Sequence, residues 1–207
     1  MAEATIKRWK ALGPVAAAAI GILIIVGYWY LRSPESTKVK AGMMAPDLEL
    51  PANVYGTKAR LSSFRGRPVL LVFFMATCEL CQAEIPQIER LFREFRTRGF
   101  MVLGVSVDAD YATRERFVRE QQITFPILQD PDGVAVREAY GSYKMPEAYL
   151  IDPRGRVDSV YLGQVRQRRI DVRERILKML SASAASGAPP ARTPAPSTAT
   201  SAGAGGG

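Results

Sequence analysis

Between residues 46 and 180 the apolar positions switch period repeatedly, and each switch marks an element. Residues 48–50 and 58–61 read as a short hairpin around a Tyr55-Gly56 turn. Residues 69–75 (V-L-L-V-F-F-M) are apolar without a break, the pattern of a central strand buried on both faces. Over 79–98 the period becomes helical, with Ile85, Ile88, Phe92 and Phe95 on one stripe and Gly99 as the stop. A buried strand over 101–107 and a helix over 113–122 follow. Residues 127–129, an Asp132-Gly133 turn, a helix ending at Tyr140 and a strand over 148–151 continue the series. Asp152-Pro153-Arg154-Gly155 turns that strand back into 157–162, and Val172, Ile176, Met179 and Leu180 give a last helix over about 171–180. Strand–helix alternation that closes on an antiparallel hairpin and a helix predicts an α/β fold, a central mixed β-sheet with helices on both faces.

Upstream the pattern changes in kind. Residues 11–31 carry no charge and contain the apolar run from Val15 to Val26. At about 1.5 Å per residue such a stretch spans roughly the 30 Å of a bilayer core. Trp9 stands at one end and Tyr28, Trp29 and Tyr30 at the other, as interfacial aromatics do. A cleaved signal peptide shares the charged start and apolar run, but the stretch is long for one and no small-x-small site follows. A single transmembrane anchor is therefore expected. Lys7, Arg8 and Lys10 assign residues 1–10 to the cytoplasmic side, which puts the folded domain on the extracytoplasmic, periplasmic face of the inner membrane. Residues 32–45 are expected as a linker. Residues 181–207 are almost wholly Ala, Ser, Thr, Pro and Gly, and are expected as a disordered tail.

Composition narrows the function. The chain of 207 residues has a net charge of +8, but half of that excess lies within residues 1–40, flanking the apolar stretch. The folded part is nearly balanced, so no stripe of phosphate-neutralising cations is available and nucleic acid is not an expected partner. Arg166, Arg168, Arg169, Arg173 and Arg175 cluster near the last helix, as a solvated face or as a contact for an acidic partner or anionic lipid. Histidine is absent and cysteine occurs twice, at Cys78 and Cys81. That inventory removes the Cys–His nucleophile pair and falls short of the roughly four ligands of a structural zinc site, so no metal is expected.

Cys78-Glu79-Leu80-Cys81 falls where the central strand gives way to a helix. Free N–H groups and the macrodipole at a helix N-terminus favour the nucleophilic form of the first thiol. One helical turn brings the second close enough to resolve a mixed disulfide formed on the first. C-x-x-C alone is unspecific; a strand, C-x-x-C and a helix together point to thiol–disulfide exchange.

G-M-M-A-P-D-L at 42–48, F-F-M-A-T-C-E-L-C-Q-A-E-I-P at 73–86 and Y-G-S-Y-K-M-P-E-A-Y-L-I-D-P-R-G at 140–155 resemble the TlpA/ResA/CcmG group of thioredoxin-like proteins. The resemblance covers roughly 42–180. It implies a thioredoxin-like fold and an anchored thiol–disulfide oxidoreductase without a cofactor. Cys78 would be the exposed nucleophile and Cys81 the resolving thiol, the two forming the redox-active disulfide. Pro146 matches the group's cis-proline, so Met145 and Pro146 would pair with substrate backbone. Glu84 matches an acidic residue three positions after the second cysteine and would exchange protons with the thiols. Glu147 is similar to a residue of the cytochrome-maturation branch, but a surface carboxylate accounts for it better. The implied partners are protein disulfides, apocytochrome c among them, with a membrane thiol reductant as electron donor. Thr77, Leu80 and Ala148 depart from the Trp, Pro and Ser/Thr common at those places, which bears on potential and substrate surface.

Three other functions compete with this reading. A peroxiredoxin-like peroxidase has Thr three and Pro seven residues before its cysteine; here those places hold Met75 and Leu71. A copper carrier of the Sco type uses C-x-x-x-C and a histidine, and this chain has neither. A non-catalytic anchored adaptor would not need the paired thiols.

Overall fold

The computed structural model describes residues 18–25, 37–52, 58–163 and 165–185. Two units divide the chain, residues 1–35 and 36–207. In the first, residues 18–25 are helical, and the rest of the expected 11–31 span lies outside the described residues. Among the described residues no helix is long and apolar enough to cross a membrane.

The second unit is built on five strands in the order β5-β4-β3-β6-β7. These are β3 (Val69–Phe74), β4 (Met101–Ser106), β5 (Ile127–Gln129), β6 (Glu147–Ile151) and β7 (Val157–Leu162). The remaining pair, β1 (Glu49–Pro51) and β2 (Lys58–Arg60), forms the antiparallel hairpin expected from the sequence. Its Tyr55-Gly56 turn lies outside the described residues. β3 pairs in parallel with β4 and antiparallel with β6, so the sheet is mixed, as the alternation implied. Every residue of β3 and β4 is buried. Successive side chains on a strand point to opposite faces, so both faces of the sheet centre are covered. Phe73 meets Tyr140 and Tyr149 on one face, at ring separations of 5.0 and 5.6 Å, while Phe74 meets Phe117 at 5.8 Å.

The helices are α1 (Glu79–Phe95), α2 (Tyr111–Glu120), α3 (Val134–Tyr140) and α4 (Arg169–Ala185). Ile85, Ile88, Phe92 and Phe95 form the buried face of α1, and the chain turns at Gly99 with φ +96°. Helix α2 starts two residues earlier than periodicity suggested because the Asp110 side chain accepts from Ala112 N and Thr113 N. Helix α4 buries Val172, Ile176 and Leu180 and runs on to Ala185, into the stretch expected as tail. Residues beyond 185 lie outside the described part.

The 32–45 linker needs correction. From residue 37 the chain is part of the domain: Lys38 N donates to Tyr140 O at 2.8 Å, and Gly42 N to Val157 O at 2.7 Å. Val39 is 1% exposed. The cause is an apolar side chain with somewhere to go and backbone groups that meet partners on β7 and at the end of α3. Gly141 permits this approach: it has φ +68°, and a Cβ there would stand 2.9 Å from Lys38 N.

Candidate functional site

The C-terminal end of β3 is where the central strand runs out of partners and the chain must turn. Val107 N still bonds Phe74 O, but residues 75–77 leave the sheet and lead into α1. Asp108, buried just past β4, holds this turn: both carboxylate oxygens accept from Ala76 N at 3.0 Å. Ser106 Oγ donates to the same carboxylate at 2.7 Å. Gln82, on the first turns of α1, returns a side-chain bond to Ala76 O at 3.0 Å.

Cys78 is the N-cap of α1, with φ −81° and ψ 118°, and its Sγ accepts from Cys81 N at 3.4 Å. The same thiol donates to Met145 O at 3.6 Å, and the Met145-Pro146 bond is cis. Cys81 and, from 67 residues further along the chain, Met145 therefore meet at the Cys78 sulfur. Cys78 is half-buried; Cys81 is buried. Burial pushes the Cys81 thiol well above its ordinary value, helped by the hydrogen bond with Cys78 and the nearby Asp108 charge. The two thiols thus differ: one sulfur is half-buried and meets Met145 O, and the other is buried with its protonated form favoured.

Glu84 is on the second turn of α1 and is 3% exposed. Its Oε2 accepts from Arg166 N at 2.8 Å, so it also fastens the loop that follows β7. That loop is tied to the cis-proline as well, through Gly163 N donating to Pro146 O at 2.9 Å.

Glu147 is not on the surface. It is 1% exposed, and its Oε1 accepts from the Tyr149 hydroxyl at 2.5 Å. Thr37 Oγ1 lies 2.5 Å from that hydroxyl. Oε2 of Glu147 is buried with no hydrogen-bond partner among the described residues. Burial pushes this carboxyl above its ordinary range, against the opposing pull of the hydroxyls around it.

Sequence reasoning missed Asp108, Ser106 and Thr37. The S-V-D ending of an otherwise apolar strand was the available signal for the first two. Thr37 had none, because it sits 112 residues from the hydroxyl it meets.

The fold and the dithiol define a thioredoxin-like thiol–disulfide oxidoreductase. The chain belongs to the AhpC/TSA family, whose profile matches residues 41–160. It is 32% identical over 157 residues to the thiol-disulfide oxidoreductase ResA of Geobacillus kaustophilus, covering 76% of this chain and 87% of that protein. ResA of Oceanobacillus iheyensis is 30% identical over 135 residues, 64% of this chain and 70% of the relative. Among solved structures, the thioredoxin domain of a thiol-disulfide oxidoreductase from Bacteroides vulgatus superposes with a TM-score of 0.61 at 26% identity, covering 69% of this chain and 99% of that one. A thiol:disulfide interchange protein from a Bacteroides species gives a TM-score of 0.59 at 26% identity, covering 69% and 91%.

Proposed function

We propose that the chain is a membrane-anchored reductase of extracytoplasmic protein disulfides, with the haem-binding cysteines of apocytochrome c as a target and a membrane dithiol as its source of electrons. The reading is carried by the half-buried Cys78 sulfur at 3.6 Å from Met145 O, with Cys81 buried behind it. The uncharged 11–31 stretch and its flanking cations support the anchor and its orientation.

In the reductive half-reaction the Cys78 thiolate attacks one sulfur of the substrate disulfide. A Cys78–substrate disulfide forms, the substrate S–S bond breaks, and the departing sulfur takes up a proton. Cys81 then loses its proton and attacks Cys78 Sγ, releasing the second substrate thiol. Two electrons and two protons pass to the substrate, and the protein is left as the Cys78–Cys81 disulfide, which the membrane dithiol reduces. Because the Cys81 thiol is pushed up, the second step needs a proton acceptor. Glu84, buried one turn beyond Cys81, is the residue we assign to it.

Trapping tests the mechanism. Cys81→Ser should accumulate mixed disulfides through Cys78, and mass spectrometry of the captured proteins names the substrates; Cys78→Ser should capture little, and the reverse pattern overturns the assignment. The direction of flow is read from the midpoint potential. A value near that of thioredoxin, about −270 mV, fits a reductase, whereas one near about −120 mV marks an oxidant. Carbonate washing that releases the full-length chain from membranes would remove the anchor. Glu84→Gln should shift the pH profile of resolution, and an unchanged profile across about pH 5–9 would leave Glu84 as a fastener of the loop only.

A further inference from the structure

Five arginines cluster around the start of α4, and the structure divides them. Arg173 pairs with Glu94 at 2.7 Å and lies over the Phe95 ring; Arg175 pairs with Asp158 and Asp171 at 2.9 and 2.8 Å. Arg166, Arg168 and Arg169 are exposed, and among the described residues none of them makes an ion pair. Their position is fixed by the dithiol's own surroundings. The loop that carries Arg166 and Arg168 and leads to Arg169 at the start of α4 begins at Gly163, bonded to Pro146 O, and is fastened at Arg166 N by Glu84 on the helix of the dithiol. Lys144, also exposed and without an ion pair among the described residues, precedes Met145, whose carbonyl meets Cys78. Beside the dithiol and the cis-proline, apolar side chains are exposed (Leu80 62%, Tyr143 63%, Met75 36%), and Thr77 and the acidic Glu79 are exposed next to them.

We infer that this basic rim selects its substrate: the target disulfide lies in a segment with apolar residues at the cysteine and aspartates or glutamates beside it. The inference deepens the reductase reading and rests on it. A lipid surface would satisfy the same cations, but the loop that carries Arg166 and Arg168 is tied to Pro146 and to Glu84, beside the dithiol, where a bilayer would compete with a substrate for Cys78. A protein segment instead places its carboxylates on Arg166, Arg168, Arg169 and Lys144 while its backbone pairs at Met145. Such complementarity raises the rate of encounter more than it raises affinity.

The test uses the full-length reduced protein in phosphatidylcholine vesicles and three disulfide peptides that differ only in the residues flanking the cysteines, acidic, neutral or basic. At low salt the acidic peptide should be reduced about 10-fold faster than the basic one, within the range of electrostatic steering. At 1 M salt, where the screening length falls to about 3 Å, the ratio should drop to about twofold or less. In the combined R166E, R168E and R169E variant the ratio should invert. Equal rates on all three peptides, or a ratio kept in the variant, overturn the inference while leaving the reductase reading intact. Failure to reduce the neutral peptide at all overturns both. A variant that loses binding to phosphatidylglycerol vesicles but keeps the peptide ratio assigns the cations to lipid and overturns the inference as well.

Discussion

Asp108 and Glu147 are buried carboxylates on opposite sides of β3, one just past β4 and the other opening β6, and the two are satisfied differently. Asp108 accepts from the Ala76 N–H with both oxygens and from Ser106 Oγ, all groups at neighbouring strand ends. Glu147 meets the Tyr149 hydroxyl, which in turn meets Thr37 from the far N-terminal edge of the domain, and its second oxygen has no partner among the described residues. A carboxylate met by a backbone N–H anchors backbone geometry, and here that backbone leads directly to Cys78. A carboxylate served by hydroxyls in a dry site is pushed toward its neutral form and becomes sensitive to pH. One side of the dithiol is tied through a backbone N–H and the other through side-chain hydroxyls.

The comparison breaks most sharply at Asp108. Asp108→Ala strands Ala76 N and the Ser106 hydroxyl and should cost about 3 kcal/mol, since hydrogen bonds to charged groups are worth about 1.5–3 kcal/mol each. Denaturant unfolding measures the loss, and the alkylation rate of Cys78 should change with it. If stability falls but alkylation does not, Asp108 supports the fold without placing the dithiol.

On the other side, Gly141→Ala forces an L side chain into φ +68° and against Lys38 N at 2.9 Å. A loss of about 2 kcal/mol is expected. Amide exchange should quicken at Val39 in this variant more than at the centre of β3, and uniform acceleration would mean that the 37–45 segment is not a separate docking. Thr37→Val keeps the shape and loses the hydroxyl, at about 1 kcal/mol.

Glu147→Gln has the smallest effect in size and a sign of its own. An ordinary glutamate titrates near 4.5, and burial raises Glu147 above that in the folded state. Stability from this group is full below about 4.5 and is lost as pH rises through the raised folded value. The wild type should therefore weaken relative to Glu147→Gln as pH climbs above 4.5. Parallel stability curves would show that the site holds its charge without penalty.

The outline of the fold was legible because periodicity reports burial directly. The apolar run of β3 and the stripe of α1 gave their places in the core, and C-x-x-C at their junction gave the chemistry. The motif around Met145-Pro146 gave the other half of the site through its resemblance to known thioredoxin-like proteins. Boundaries were less visible: α2 begins at the Asp110 cap rather than at its first apolar residue, and α4 outlasts its apolar stripe because small residues carry no period.

By itself the sequence determined the sheet's components, the two thiols and their order along the helix, because hydrophobic spacing and helix polarity are local properties. Only the tertiary structure decided which polar residues matter. Glu84, Asp108 and Glu147 look alike as letters, and their roles follow from what each meets when buried: the Arg166 N–H, the Ala76 N–H, or the hydroxyls of Tyr149 and Thr37. The same holds for residues 37–45, whose few apolar side chains resemble a linker until β7 and the end of α3 supply partners for their backbone. Burial and hydrogen-bond pairing are properties of neighbours in space, and no local pattern encodes a neighbour more than a hundred residues away.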